Sequence, residues 1–218
     1  LVDAADYATA LEQFRNLHRL SPGDEEITFG YAMLATQQEQ WDEARPLWQL
    51  LRASPERRDE ASYYLAQIEE EAGNEALAIG LYQSVDGNEL KVDAMMRMAQ
   101  IHGRNGRIGE AREVLQQARI ANPGRAADLY ITETQIVQKY GDADEALALY
   151  ESALGAFPDN HDLRYNRALY VVELGDFPAM ERDLLQVLEA DPDHADALNA
   201  LGYTLADRNE RLDEAFAY

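Results

Sequence analysis

The 218-residue chain contains no cysteine. That removes disulfides, thiol nucleophiles and thiolate metal sites together, and leaves no redox clue to compartment. Glycine and proline are sparse, at 13 and 7 residues, which excludes a flexible linker or a low-complexity segment. No run of 18 apolar residues occurs, so no segment reads as a membrane-spanning helix. The opening Leu-Val-Asp-Ala-Ala-Asp carries neither a basic n-region nor an apolar h-region, so no signal peptide is visible. Basic residues are also scarce, 19 against 41 acidic, for a net charge of −22. Phosphate backbones and anionic headgroups are bound through Lys and Arg, so nucleic acid and anionic membrane are disfavoured as partners. The surplus acid either keeps the chain soluble or steers basic partners toward it.

What the chain does contain is a repeat. Small residues recur at Ala10, Ala44, Ala78, Ala111, Ala146 and Ala215, with Met180 in the remaining slot, at intervals of 33 to 35 residues. Four positions later stand Phe14, Trp48, Tyr82, Leu115, Tyr150 and Leu184, and three further on Leu17, Leu51, Val85, Ala118, Ala153 and Val187. This i, i+4, i+7 spacing marks one face of a helix. Pro22, Pro55, Pro123, Pro158 and Pro192 close most units, since proline cannot continue a helix. An earlier helix in each unit carries its own small residue, at Ala32, Ala66, Ala99, Thr134, Ala168 and Gly202. Turn signals lie between the two helices at Gly73-Asn74, Gly106-Arg107, Gly141-Asp142 and Gly175-Asp176. Antiparallel helices approach closely only where neither carries a bulky side chain. One such hairpin cannot bury its apolar faces alone, so neighbours must stack.

The pattern resembles the tetratricopeptide repeat, as in Ala197-Leu198-Asn199-Ala200-Leu201-Gly202-Tyr203 and Tyr140-Gly141-Asp142-Ala143-Asp144-Glu145-Ala146-Leu147. The expected fold is an all-α solenoid of antiparallel hairpins occupying residues 1–218 as one domain. Residues 1–23 hold the second helix of a partial repeat. Complete repeats occupy 24–57, 58–90, 91–125, 126–159 and 160–193, and 194–218 is a truncated repeat. Because both ends cut through a unit, a longer parent protein is expected. Met180 should widen the crossing of its hairpin or shift its register. Pro178 fits the first turn of its helix. Ser84 to Lys91, where no proline closes the unit, is the candidate for a bend.

Chemistry is hard to find. Gly103-x-x-Gly106-x-x-Gly109 lacks the Lys-Ser/Thr ending of a phosphate loop and reads as a hairpin turn. His18, His102, His161 and His194 form no i, i+4 ligand pair, so no metal site is expected, and His161 and His194 read as helix-start residues. Asp191, Asp193 and Asp196 lack the order of a calcium loop. Carboxylates are plentiful, yet nothing singles out a general acid and base. No enzyme activity and no cofactor are predicted.

Function is therefore expected on the surface that stacking creates. The family resemblance implies a superhelix whose concave face is lined by the first helices. On that face the slots hold Phe29, Tyr63, Met96, Ile131, Tyr165 and Asn199. One turn later come Met33, Gln67, Gln100, Gln135, Leu169 and Tyr203. Such aromatic and apolar groups beside amides suit recognition of a peptide or helix. An acid precedes each first slot by three residues, at Glu26, Glu60, Asp93, Asp128, Asp162 and Asp196. In a first helical turn these complement the helix dipole, and as a groove rim they would favour a partner with basic flanks. Chaperone-binding members of the family hold a C-terminal dicarboxylate with Lys, Asn and Arg. Phe29, Met33, Tyr63 and Gln67 on this face disfavour that use.

The predicted function is a protein-binding adaptor. The stretch Asn199-Ala-Leu-Gly-Tyr-Thr-Leu-Ala-Asp-Arg208, with the extra residue before Ala215, is similar to bacterial envelope tetratricopeptide lipoproteins. Some of these deliver cell-wall hydrolases to a carboxyl-terminal processing protease. That resemblance implies an N-terminal lipid anchor and a periplasmic, outer-membrane location. The alternative is a regulatory or targeting arm of a larger enzyme or secretion complex, cytoplasmic in location. A third reading is self-association through the open apolar faces.

Overall fold

The computed structural model describes residues 4–216 and 218. Among these residues it is all-α, with thirteen α-helices and one 3-10 turn, Pro123–Arg125. The helices are α1 (Ala4–Leu20), α2 (Glu25–Gln37), α3 (Trp41–Leu51), α4 (Arg58–Glu71), α5 (Glu75–Gln83), α6 (Asn88–Arg104), α7 (Ile108–Ala121), α8 (Ala126–Tyr140), α9 (Ala143–Ala156), α10 (His161–Glu173), α11 (Phe177–Ala190), α12 (Ala195–Asp207) and α13 (Leu212–Ala215). Contacts gather into two compact units, 1–101 and 102–218, with the boundary inside α6.

In the first unit α2 pairs with α3 and α4 with α5, while α1 packs on α2 and α3 on α4. In the second, α8 pairs with α9, α10 with α11 and α12 with α13. There α7 packs on α8, α9 on α10 and α11 on α12. Each unit is thus a run of hairpins stacked in chain order. The small-residue column explains the close pairing. Ala32 and Ala44, Ala66 and Ala78, and Thr134 and Ala146 are all fully buried, so the two helices of each of these hairpins meet without a bulky side chain between them. The large residues four positions on, Trp48, Tyr82, Leu115, Tyr150 and Leu184, are equally buried and fill the space between hairpins.

The hairpin turns share one device. Glu39, Gly73, Gly106, Gly175 and Asn209 occupy the same slot and all have positive φ, between 54° and 85°. The next residue donates its N–H back to the fifth carbonyl before it: Gln40 to Ala35, Asn74 to Glu69, Arg107 to His102, Asp176 to Val171 and Glu210 to Leu205, at 2.8–3.0 Å. This satisfies carbonyls that the helix end would otherwise orphan. The fourth hairpin departs. Gly141 is extended (φ −107°), and Asp142 accepts from the N–H groups of Asp144 and Glu145 to start α9. A side-chain cap there replaces the left-handed turn.

Met180 is accommodated inside its hairpin. It is buried with Leu184 and Val187, and α10 and α11 share as extensive an interface as any described pair. An unbranched thioether chain is suited to filling such a site beside Ala168. Pro178 does lie in the first turn of α11. Asp93 is not in a first turn, because α6 begins at Asn88 and places it in the second turn. In the candidate bend, α5 ends at Gln83, Val85 is buried, and the Asp86 N–H donates to Asp59 at 3.2 Å.

Candidate functional site

The first-helix face exists in each unit as a partly open stripe. In the first unit Phe29, Met33, Tyr63, Gln67, Met96 and Gln100 are all half-buried. The adjoining face of the same helices, with Ala32, Ala66 and Ala99, is closed. In the second unit Ile131, Tyr165 and Leu169 are half-buried, whereas Gln135, Asn199 and Tyr203 are exposed, Tyr203 to 71%. Sequence spacing alone places these side chains, since i, i+4 positions share a helix face and the 34-residue period repeats the face.

Phe29, Tyr63 and Tyr165 are braced by neighbouring side chains. Phe29 stands edge-on to Trp48 with centroids 5.7 Å apart, and the Arg57 guanidinium lies 4.1 Å over its ring. Trp48 stacks on Tyr64 at 4.7 Å, and Tyr63 meets Tyr82 edge-on at 5.7 Å. Tyr165 lies 5.6 Å from the His194 ring. Second-helix rings also clasp the first helix. Trp48 donates to the Thr36 hydroxyl at 2.8 Å, Tyr82 to Glu70 at 2.9 Å and Tyr150 to Gln138 at 3.1 Å, each partner twelve residues earlier. Where the partner position is Gly103 or Val172, the ring is replaced by Leu115 or Leu184. Burial and the Glu70 carboxylate push the Tyr82 hydroxyl well above the ordinary tyrosine range.

The acidic rim is unevenly committed. Arg57 bonds Glu26 at 2.6 Å and Glu60 at 3.1 Å, and so bridges two repeats across Phe29. Asp128 is held by Arg125 at 2.7 Å. Asp162 and Asp196 are exposed, and neither has an ion pair among the described residues. His194 caps α12 by accepting the Ala197 N–H at 3.2 Å, and His161 is the first residue of α10. No three His, Asp or Glu side chains among the described residues are placed to hold a metal ion.

One set of buried charges was not anticipated. The position before the first-helix small residue is Leu65, Met98 or Leu201 in three units but Tyr31, Glu133 or Arg167 in the others. Glu133, 2% exposed, receives Arg112 at 3.0 Å and also Arg119. Arg167 grips Asp183, 1% exposed, through two bonds of 2.7 and 2.6 Å. Tyr31 donates to Glu43 at 2.5 Å, with Arg15 on the same carboxylate at 2.7 Å. That hydrogen bond from Tyr31, aided by Arg15, holds the Glu43 carboxyl below the usual range. The signal was available as a polar residue in an otherwise apolar column.

Two models described as tetratricopeptide repeat match the chain, one over residues 1–68 and one over 138–179 and 165–218. The chain belongs to the tetratricopeptide repeat family. A TPR repeat-containing protein of Pseudomonas aeruginosa is 34% identical over 157 residues, 72% of this chain and 27% of that protein. The chain therefore spans about a quarter of the length of that relative. Among solved structures, a tetratricopeptide repeat protein from Parabacteroides merdae matches with a TM-score of 0.65 and 14% identity, over 98% of this chain and 84% of that one. YrrB, a TPR protein with an unusual peptide-binding site, matches with a TM-score of 0.50 and 16% identity, over 88% and 98%. Both likenesses concern the fold. Repeats of this family are protein–protein interaction modules, and the chain is a scaffold of that class.

Proposed function

We propose that this chain binds protein partners as extended or helical peptides along its first helices and carries out no catalysis itself. One observation supports this above others. Along the first helices one face is closed, while the neighbouring face leaves aromatic, apolar, thioether or amide side chains half-buried or exposed. Rigid rings braced from behind lose little freedom when they are covered, which favours their use as anchors. Open amides at Gln135 and Asn199 supply adaptable hydrogen bonding to a peptide backbone. The peptide-binding site named for YrrB is consistent with such use of the fold. Asp162 and Asp196, without an ion pair among the described residues, favour basic residues beside the apolar anchors.

The finer reading is an adaptor that presents substrates to a carboxyl-terminal processing protease in the periplasm, with the intact protein anchored by lipid at the outer membrane. It is supported by the similarity of residues 199–208 to envelope lipoproteins of that kind. Crosslinking pull-down with the intact protein tests the site. Repeating it with Tyr63→Ala, Tyr165→Ala and Tyr203→Ala should lose the same partners. If all partners survive the three changes together, the face is not the site. Recovery of a processing protease whose cleavage of the co-captured protein needs this chain is the result expected of an adaptor.

A further inference from the structure

The first unit contains a cavity of about 250 Å³ beside Gln67, lined by Glu39, Trp41, Gln67, Glu70, Glu71 and Arg97. Glu39 and Trp41 come from the turn and start of α3, Gln67 to Glu71 from the end of α4, and Arg97 from α6. We propose that this cavity seats one Lys or Arg side chain of a bound peptide, an inference that rests on the peptide-binding reading of the first-helix face.

Size argues for a single side chain. The volume is that of about eight waters at roughly 30 Å³ each, below the usual range for a cofactor or small-molecule pocket. Charge argues for a cation. Three carboxylates face one guanidinium, and Arg97 is already committed, hydrogen-bonded to Tyr63 and facing Tyr82 and Glu70. Glu70 in turn accepts the Tyr82 hydroxyl at 2.9 Å. Glu39 and Glu71 have no ion pair among the described residues, and both are exposed. An anion would meet these two carboxylates with no free cation to offset them.

The aromatic wall is the further argument. Trp41 is half-buried and has no ring partner among the described residues, unlike Trp48, which is stacked and hydrogen-bonded. A tryptophan face beside carboxylates attracts an ammonium or guanidinium through the ring quadrupole as well as through charge. A bare metal ion is not the guest, since no three carboxylates here are placed to coordinate one. The four-carbon or three-carbon stem of Lys or Arg would lie on the ring while its head reaches Glu39 and Glu71.

The two tryptophans supply a test with an internal control. In the intact protein labelled with nitrogen-15, N-acetyl-arginine amide, N-acetyl-lysine amide and the neutral N-acetyl-norleucine amide are titrated separately. The Trp41 indole N–H signal, assigned with Trp41→Phe, should shift saturably with the two cations in the millimolar range. It should stay still with norleucine, and the Trp48 signal should not move. Glu39→Gln and Glu71→Gln should each weaken cation binding about threefold, and salt should weaken it further. An equal response to norleucine, no response at all, or indifference to both Gln variants overturns the proposal. If Trp41 is silent while the tyrosine variants still lose crosslinked partners, the cavity assignment falls and the peptide-binding face stands. If the cations bind while those partners survive the tyrosine changes, the face has been misassigned.

Discussion

The two compact units build the same hairpin but leave its first-helix face open to different degrees. In residues 1–101 the aromatic stripe is clasped by neighbouring rings and by Arg57, and the rim acids Glu26 and Glu60 are bridged. In residues 102–218 the stripe opens, with Gln135, Asn199 and Tyr203 exposed and Asp162 and Asp196 unbridged. Both units also hold charge in the core, as Glu69 with Arg45 in the first and as Glu133 with two arginines and Arg167 with Asp183 in the second. The difference teaches that the same hairpin tolerates wide variation outside its buried small and large apolar positions. The remaining positions can carry either stability or recognition.

The largest expected effect breaks the buried charges. Arg167→Ala strands Asp183 at 1% exposure and should cost about 3–5 kcal/mol in urea unfolding. Pairing Arg167→Met with Asp183→Leu should return most of that loss. A cost under about 1 kcal/mol for the single change would mean that water, and not Arg167, satisfies Asp183. In the first unit, Tyr82→Phe removes the donor to Glu70 and should cost about 1–3 kcal/mol in the same measurement. Its effect should stay below that of Arg167→Ala, because Glu70 keeps access to solvent.

Turn and helix glycines in a single hairpin should respond with opposite signs. Gly73 has φ +78°, so Gly73→Ala should destabilise by about 1–2 kcal/mol. Gly80, inside α5 with open space around a built Cβ, should gain about 1 kcal/mol on change to Ala. Thermal melts that moved in the same direction for both would remove the shared-turn account.

The smallest effect is a pH dependence in the second unit. Burial and Arg107 hold His102 below its ordinary value of 6.5, against the opposing pull of Glu110 at 2.9 Å. The unfolded chain therefore takes up the proton first. His102 contributes fully above about pH 6.5, and stability declines as the pH falls through the lower folded value. His102→Gln should flatten that part of the stability curve, and no matching decline in this range comes from Glu43, whose loss belongs to more acid conditions.

Much of the fold was legible because it is written in columns. The alanines every 33–35 residues, the rings four positions on, and Gly73, Gly106 and Gly175 all act within one hairpin, where sequence separation fixes spatial relation. The buried charges were less legible, since Glu133 draws on Arg112 and Arg119 from the preceding helix and each residue alone looks like surface. Arg57 stayed hidden for the same reason, as it joins acids from two repeats. Asp93 was misplaced because the start of α6 is set by the loop after Gln83 and not by the repeat. As for the candidate site, spacing put its residues on one face, but it could not show which rim acids already had partners.

The most direct test of the peptide-binding face is site-specific photocrosslinking in the intact protein. A benzophenone side chain would replace Tyr63 or Tyr203 on the first-helix face, and Leu50 or Leu185, exposed on second helices, as controls. The account predicts a common set of partners captured from Tyr63 and Tyr203 and none of them from Leu50 or Leu185. Capture of that set only from the second-helix positions would contradict it.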